Sequence, residues 1–176
     1  MNRPQSFAIW ITGLPASGKS TIVRALKPQL EATGLNVEVL ESDEVRRMLT
    51  PEATYSQAER DLFYRALALM GAKLVMHGVT VLFDATATRR EYRDFARSLI
   101  PRFIEVAVVC PLETCMQRDY KGTYQRGQRG ETSTVPGLQE PYEVPPHPDL
   151  TIDTTHVPAN EAAENVFALV KERFVQ

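Results

Sequence analysis

The stretch GLPASGKST at residues 13–21 constrains this chain more than any other. It follows the apolar run FAIWIT directly and leads into a helical pattern in which Ile22, Leu26 and Leu30 recur at four-residue steps. The spacing is that of the phosphate-binding loop Gly-x-x-x-x-Gly-Lys-Ser/Thr, with Gly13, Gly18, Lys19 and Ser20 in the defining places. Glycines let the backbone fold into a nest of N–H groups facing anionic oxygens, and the helix behind adds the positive end of its dipole. Such turns also occur for packing alone, but the added Lys-Ser pair points to a nucleoside triphosphate. The nucleotide-binding set is then Gly13, Ala16, Ser17, Gly18, Lys19, Ser20 and Thr21. Within it Lys19 bridges the β- and γ-phosphates of ATP, and the Ser20 hydroxyl ligates Mg2+. The loop leaves the acceptor of the phosphate open.

A chain of 176 residues suits one well-packed domain spanning 1–176 and is short for two. A net charge of −2 argues against a general nucleic-acid binder, which carries a basic excess. No apolar run reaches the length of a membrane span, and the polar opening MNRPQS is not a basic-then-apolar leader, so a cytoplasmic protein without a membrane partner is expected. Cys110 and Cys115 lie too close together, and too alone, for a metal or disulfide framework and read as buried or helix-facing thiols.

Apolar runs at FAIWIT, VEVLES, VTVLFDA, IEVAVVC and LTID read as buried parallel strands, with helical spacing between them. This is an α/β pattern. Leu62, Ala66, Leu69, Met70, Leu74 and His77 form an apolar stripe on a longer helix, which Ser56 and Glu59 open as a capping box. A final helix over 160–174 has its stripe in Ala163, Val166, Phe167, Val170 and Phe174. Residues 121–148 combine Lys121, Arg126 and Arg129 with glycines and five prolines and show little periodicity. A loop of that length in a compact domain is a functional lid or a disordered piece.

Phosphoryl transfer also needs a magnesium site, a group that orients or deprotonates the acceptor hydroxyl, and cations that spread the developing charge. ESDEVRR places Asp43 at the end of the second strand, where open α/β sheets keep catalytic groups. Arg46 and Arg47 behind it either bind an anionic acceptor or pair with Asp43 on a solvated face. VTVLFDA closes on Asp84, in the manner of a Walker B magnesium support. TATRREYR then offers Arg89, Arg90 and Arg93 as a phosphate clamp or as surface charge.

With these stretches in place the chain resembles the adenylylsulfate (adenosine 5′-phosphosulfate, APS) kinases over almost its whole length. ITGLPASGKSTIVRAL looks like that family's opening, LESDEVRRML like its Leu-Asp-Gly-Asp-Asn-Val-Arg segment, and YSQAER like its Phe-Ser-x-x-x-Arg. FIEVAVVCPLETCMQRDYKGTY and GLQEPYEVPPHPDLTIDT are similar to its lid approach and its Gly-Ile-Asp-Ser-Pro-Tyr-Glu-x-Pro-x-x-Pro ending, and are more diagnostic than the loop. The resemblance implies a P-loop NTPase-type three-layer sandwich: a central, mostly parallel five-stranded sheet with helices on both faces and a lid near 121–148. It also implies ATP and Mg2+ as cofactors, a nucleotide-like small-molecule acceptor, and a homodimer. Carried over by position, Asp43 is the general base or hydroxyl orienter and a magnesium ligand, with Lys19 and Asp84 beside it in the catalytic set. Arg46 and Arg60 hold the phosphosulfate nucleotide and Tyr55 stacks on its adenine. Arg90 keeps a family arginine on the acceptor side. Arg118 lies against the ATP base, and Lys121 sits where the lid closes over the phosphates.

Three departures bear on the acceptor. Phe63 stands where the family has an Asn, Val135 replaces a second stacking phenylalanine, and DATAT replaces Ser-Phe-Ile-Ser-Pro, so that Ala87 takes the place of a serine. Losing one stacking face and one hydrogen bond weakens adenine recognition. Two acceptors therefore remain: APS itself, or a different nucleotide conjugate such as a cytidine diphospho compound or a small hydroxyl metabolite. A non-catalytic nucleotide-binding module would predict decay of the loop or of Asp43, and neither has decayed.

Overall fold

The computed structural model describes residues 6–174; apart from Ser6, the polar opening MNRPQS lies outside them. Five strands, β1 (Ala8–Thr12), β2 (Val37–Glu41), β3 (Thr80–Asp84), β4 (Phe103–Val109) and β5 (Leu150–Asp153), form one sheet in the order β2-β3-β1-β4-β5. Every neighbouring pair is parallel, where a mostly parallel sheet was expected. Each expected strand is present.

Seven helices follow in chain order among the described residues: α1 (Lys19–Glu31), α2 (Ser42–Leu49), α3 (Gln57–Met76), α4 (Arg90–Leu99), α5 (Leu112–Gln117), α6 (Thr123–Gln128) and α7 (Ala159–Phe174). Side chains alternate across a strand, so β1 serves two cores at once. Ile9 and Ile11 join Ile22, Leu26 and Leu30 of α1 and Val166 and Val170 of α7 on one face of the sheet. Ala8 and Trp10 join Phe63, Tyr64 and Leu67 of α3 and Tyr92 and Ala96 of α4 on the other. Burial on both faces is why β1 and β3 carry continuous apolar runs, Ala8 to Ile11 and Val81 to Phe83, rather than alternating. The stripe expected on α7 holds, with Phe174 against Phe7 at 4.8 Å between ring centroids.

The stripe expected on α3 holds only in part: Met70 and Leu74 pack against the second core, but Leu62 and Leu69 turn away. Phe63, Tyr64, Leu67, Ala68, Gly71 and Ala72 face the sheet, whereas Leu62 is 70% exposed, Leu69 is 52% exposed and His77 lies on the surface. Apolar residues surround most of this helix, so periodicity alone leaves its rotation undetermined. The aromatic rings decide it: burying Phe63 and Tyr64 removes more apolar surface from water than burying Leu62 and Leu69. Tyr64 also stacks on Tyr92 at 4.4 Å.

The chain switches direction about β1, whose neighbours β3 and β4 are reached by crossovers to opposite sides, and a crevice opens above the carboxyl ends of the strands. Every connection leaving those ends except the one after β5 leads to a candidate residue. The 121–148 segment roofs the crevice and is not structureless. Asp119 accepts from the Thr123 and Gln125 amides at 2.8 and 3.0 Å and so starts α6. Its later half is tied to the body by Tyr142, whose hydroxyl meets Thr12 Oγ1 at 3.0 Å, and by Arg93, which donates to Glu143 O at 2.7 Å.

Candidate active site

The turn after β1 is shaped by two glycines. A Cβ on Gly13 would lie 2.5 Å from the Val108 carbonyl oxygen, and Gly18 sits at φ +103°, in the region that favours glycine. Gly18 caps α1 without a side chain, so no side chain occupies the first amides of the helix and they are left to an anion. Lys19 folds back over the loop, donating to Gly13 O at 3.0 Å and Leu14 O at 2.8 Å. Burial lowers its pKa, and the carboxylates of Asp84 and Asp43 pull it back up.

Asp84 ends β3 and is only 5% exposed. Burial pushes its carboxyl above the usual range, opposed by the Lys19 charge and by a hydrogen bond from Ser20. Asp43 lies one residue inside α2 rather than on the strand end, with its side chain half exposed, and ion-pairs with Lys121 at 2.8 Å. Glu41 reaches the same amine at 3.4 Å. Burial works against the Lys121 charge, but the bond to Asp43 and the surrounding negative field hold its pKa above the ordinary lysine range. The 121–148 segment is thus fastened across the cleft to the start of α2 by a pair 78 residues apart in sequence.

Arg46 is buried against two rings: its guanidinium carbon lies 3.8 Å from the Phe63 centroid and 4.8 Å from that of Tyr55, and Nη1 donates to Glu59 at 3.0 Å. Phe63, expected only as a lost polar contact, is a platform for this arginine. Val135 packs its side chain into a small cluster with Cys110, Cys115 and Tyr124. Both cysteines are free and buried, and burial pushes the Cys115 thiol up to about 12. Arg60 donates to Tyr55 O at 3.1 Å and to Thr134 O at 2.9 Å, joining α3 to the lid. Tyr55, 40% exposed, precedes the Ser56 cap at φ +54°. It meets Arg60 (5.5 Å from ring centroid to guanidinium carbon) where a hydrophobic staple would meet an apolar residue.

Two cavities meet at the loop. One of about 500 Å³ is lined by Lys19, Ser20, Asp43, Arg46, Tyr55, Arg60, Asp84 and Lys121 among others. The other, about 430 Å³, is lined by Gly18, Lys19, Ser20, Thr21, Arg118 and Thr154 among others. Arg118 donates to Thr154 Oγ1 at 3.2 Å and Thr154 O at 3.0 Å, while Thr154 Oγ1 donates to Ser17 O at 2.7 Å. Arg90 is not brought to either cavity: its guanidinium pairs with Asp94 at 2.9 Å on the exposed side of α4. Of the neighbouring arginines Arg93 is neither clamp nor surface charge, being fully buried against Glu105 at 2.7 Å. Sequence reasoning missed Glu59 as more than a cap, and missed Thr154; their partners lie 13 and 36 or more residues away, beyond any local pattern.

The sequence model of the adenylylsulphate kinase family matches residues 5–153. The adenylyl-sulfate kinase of Microcystis aeruginosa is 37% identical over 170 residues, covering 97% of this chain and 94% of that protein. That of a Synechococcus species is 39% identical over 158 residues, covering 90% of each. Among solved structures, the Mycobacterium tuberculosis APS kinase in complex with AMPPNP and APS superposes with a TM-score of 0.89 at 32% identity, over 96% of this chain and 99% of that one.

Proposed function

The chain belongs to the adenylylsulphate kinase family, and we propose that it moves the γ-phosphate of ATP to the ribose 3′-hydroxyl of adenosine 5′-phosphosulfate. One observation supports this above the rest: two cavities, one on each side of the phosphate loop, share Lys19 and Ser20. A two-substrate phosphotransferase needs that arrangement, because donor and acceptor must meet at the transferred group. The named relatives favour APS over another nucleotide conjugate as the acceptor.

In this reading the ATP base lies by Arg118 and Thr154, and its phosphates rest on the amides of the loop, with Lys19 leaving its own carbonyls for the β- and γ-phosphates. The acceptor occupies the larger cavity. Its adenine stacks on Tyr55, and Arg46 and Arg60 face its phosphosulfate. Asp43 takes the proton of the 3′-hydroxyl as that oxygen forms a bond to the γ-phosphorus and the bridging P–O bond to ADP breaks. Lys121, released from Asp43, follows the phosphates as the lid excludes water.

Ser20, Asp84 and Asp43 line one end of the larger cavity, and among the described residues no three acidic, histidine or cysteine side chains gather into a ready-made metal site, so Mg2+ would be held by one or two of these carboxylates with phosphates supplying further ligands. Magnesium there would neutralise charge on the phosphate oxygens. Ser20, bonded to the buried Asp84, is the residue best supported as its ligand. Arg90 has no part in the proposal.

The homodimer implied by the resemblance belongs to the same proposal. Leu62, Leu69 and Met76, 70%, 52% and 73% exposed, follow one another at seven-residue steps along α3, an apolar stripe suited to a second copy of the chain. No helix among the described residues is long and apolar enough to cross a membrane, in keeping with a cytoplasmic enzyme.

Incubation of the purified protein with ATP, magnesium and APS, with the product's mass and phosphate position determined, tests the function. A 3′-phosphorylated product with matching ADP is expected. ATP binding without turnover of APS would overturn the acceptor assignment.

A further inference from the structure

Resting on that reading of the acceptor cavity, we propose that Glu59 is a positioning residue for the acceptor: it holds both the Tyr55 turn and the Arg46 guanidinium in their receiving arrangement. Glu59 does not line the cavity, so it acts through those two residues.

The geometry departs from an ordinary capping box. Ser56 Oγ accepts from the Glu59 amide at 3.3 Å as expected, but the return bond is missing: the Ser56 amide donates to Thr54 Oγ1 at 3.3 Å instead. Both carboxylate oxygens of Glu59 are thereby released for other work. Oε2 accepts from the Thr54 amide and the Thr54 hydroxyl, each at 2.7 Å. Oε1 accepts from the Tyr55 amide at 3.2 Å and from Arg46 Nη1 at 3.0 Å. Four donors use the full capacity of one ionised carboxylate.

What those donors belong to gives the arrangement its purpose. Tyr55 is a non-glycine residue at positive φ, a conformation that persists only when its surroundings enforce it, and such strain gathers at ligand sites. Arg46 belongs to α2 and Glu59 to α3, so the carboxylate fixes the separation of the two helices where the cavity opens between them. The Phe63 and Tyr55 rings pack against the guanidinium, at 3.8 and 4.8 Å from its carbon, and restrict where it can move. Burial pushes the Glu59 carboxyl up, but the bonds from Thr54 and Tyr55 and the Arg46 charge outweigh it and leave its pKa lowered. The acid is ionised at neutral pH, as four donors require.

Glu59→Gln keeps the shape and replaces one acceptor oxygen with an NH2 group that faces donors. The expected result is a rise in KM for APS of about ten- to a hundredfold, the loss associated with one charge-assisted hydrogen bond, with KM for ATP and kcat within about twofold. The same substitution should raise amide hydrogen exchange at Thr54 and Tyr55 in the substrate-free protein while the α3 interior stays protected. In an Arg46→Ala background Glu59→Gln should raise KM for APS by a smaller factor than in the parent enzyme, because the share exerted through the guanidinium is already gone and only the hold on the Tyr55 turn remains. An unchanged KM for APS, in a protein where Tyr55→Ala raises it, overturns the proposal. So does a rise in both Michaelis constants together, which would make Glu59 merely structural. If the parent enzyme does not turn over APS, the acceptor reading falls and the exchange measurement decides the positioning role alone: unchanged protection at Thr54 and Tyr55 refutes it.

Discussion

Tyr55 combines an exposed ring with a backbone conformation that tyrosine disfavours, and two substitutions separate these properties. Tyr55→Ala removes the ring and keeps a Cβ at φ +54°. Tyr55→Gly removes the ring and the steric conflict together. Stacking of a base on an aromatic side chain is worth about 1–3 kcal/mol by alanine substitution. At about 1.4 kcal/mol per tenfold, KM for APS should rise roughly 5- to 150-fold in both variants, with KM for ATP unchanged because the ATP-side cavity is lined by other residues. Stability should diverge. Both variants lose the same ring, so that loss cancels between them, whereas glycine at a left-handed position is favoured over alanine by about 1 kcal/mol. For a chain of this length that difference corresponds to a Tm about 2–4 °C higher for Tyr55→Gly than for Tyr55→Ala. Michaelis constants for each substrate and thermal melts of the two variants supply the test. The reasoning is refuted if Tyr55→Gly melts below Tyr55→Ala, or if the loss falls on ATP instead of APS.

The remaining predictions concern the base, the donor pocket and acid stability. Asp43→Asn should bind ATP normally and turn over at least about a hundredfold more slowly, given what general-base groups contribute; near-normal single-turnover rates would shift the role to Asp84. Arg118→Ala loses its bonds to Thr154 and should raise KM for ATP while leaving that for APS unchanged, which initial-rate kinetics at saturating co-substrate would check. At Asp149 burial raises the carboxyl pKa, but hydrogen bonds from the Glu105 amide, Arg173 and Arg97 outweigh it and leave the pKa below the usual range. A carboxyl depressed in the folded state adds stability that is fully present above its unfolded pKa, near pH 4, and is lost as pH falls through the folded value. Asp149→Asn should therefore lower Tm at pH 7 and flatten its decline below about pH 4.

What was legible in this sequence is what short stretches of chain decide for themselves. The phosphate loop is one case, because the close approach of Gly13 to Val108 and the positive φ of Gly18 leave few residue choices. The central strands β1, β3 and β4 are another, since burial on both faces forces continuous apolar runs, whereas the edge strands β2 and β5, expected as buried, are largely part-exposed. The rotation of α3 was not legible, because leucines and aromatic rings competed for the sheet and only the three-dimensional partners, Trp10 and Tyr92, favour one. Nor were the lid fastenings, Lys121 to Asp43 and Arg60 to Thr134, which join residues more than 70 positions apart. Phe63 shows how this matters for function. Set against the family pattern it is a missing polar contact, yet in the fold its ring lies 3.8 Å from the Arg46 guanidinium carbon, and the adjacent Glu59 completes the hold. The substitution changes how the arginine is supported rather than whether it is present. An acceptor site can in this way lose a direct contact and recover part of its affinity through pre-organisation, since an anchored guanidinium has less freedom to surrender when the anion arrives.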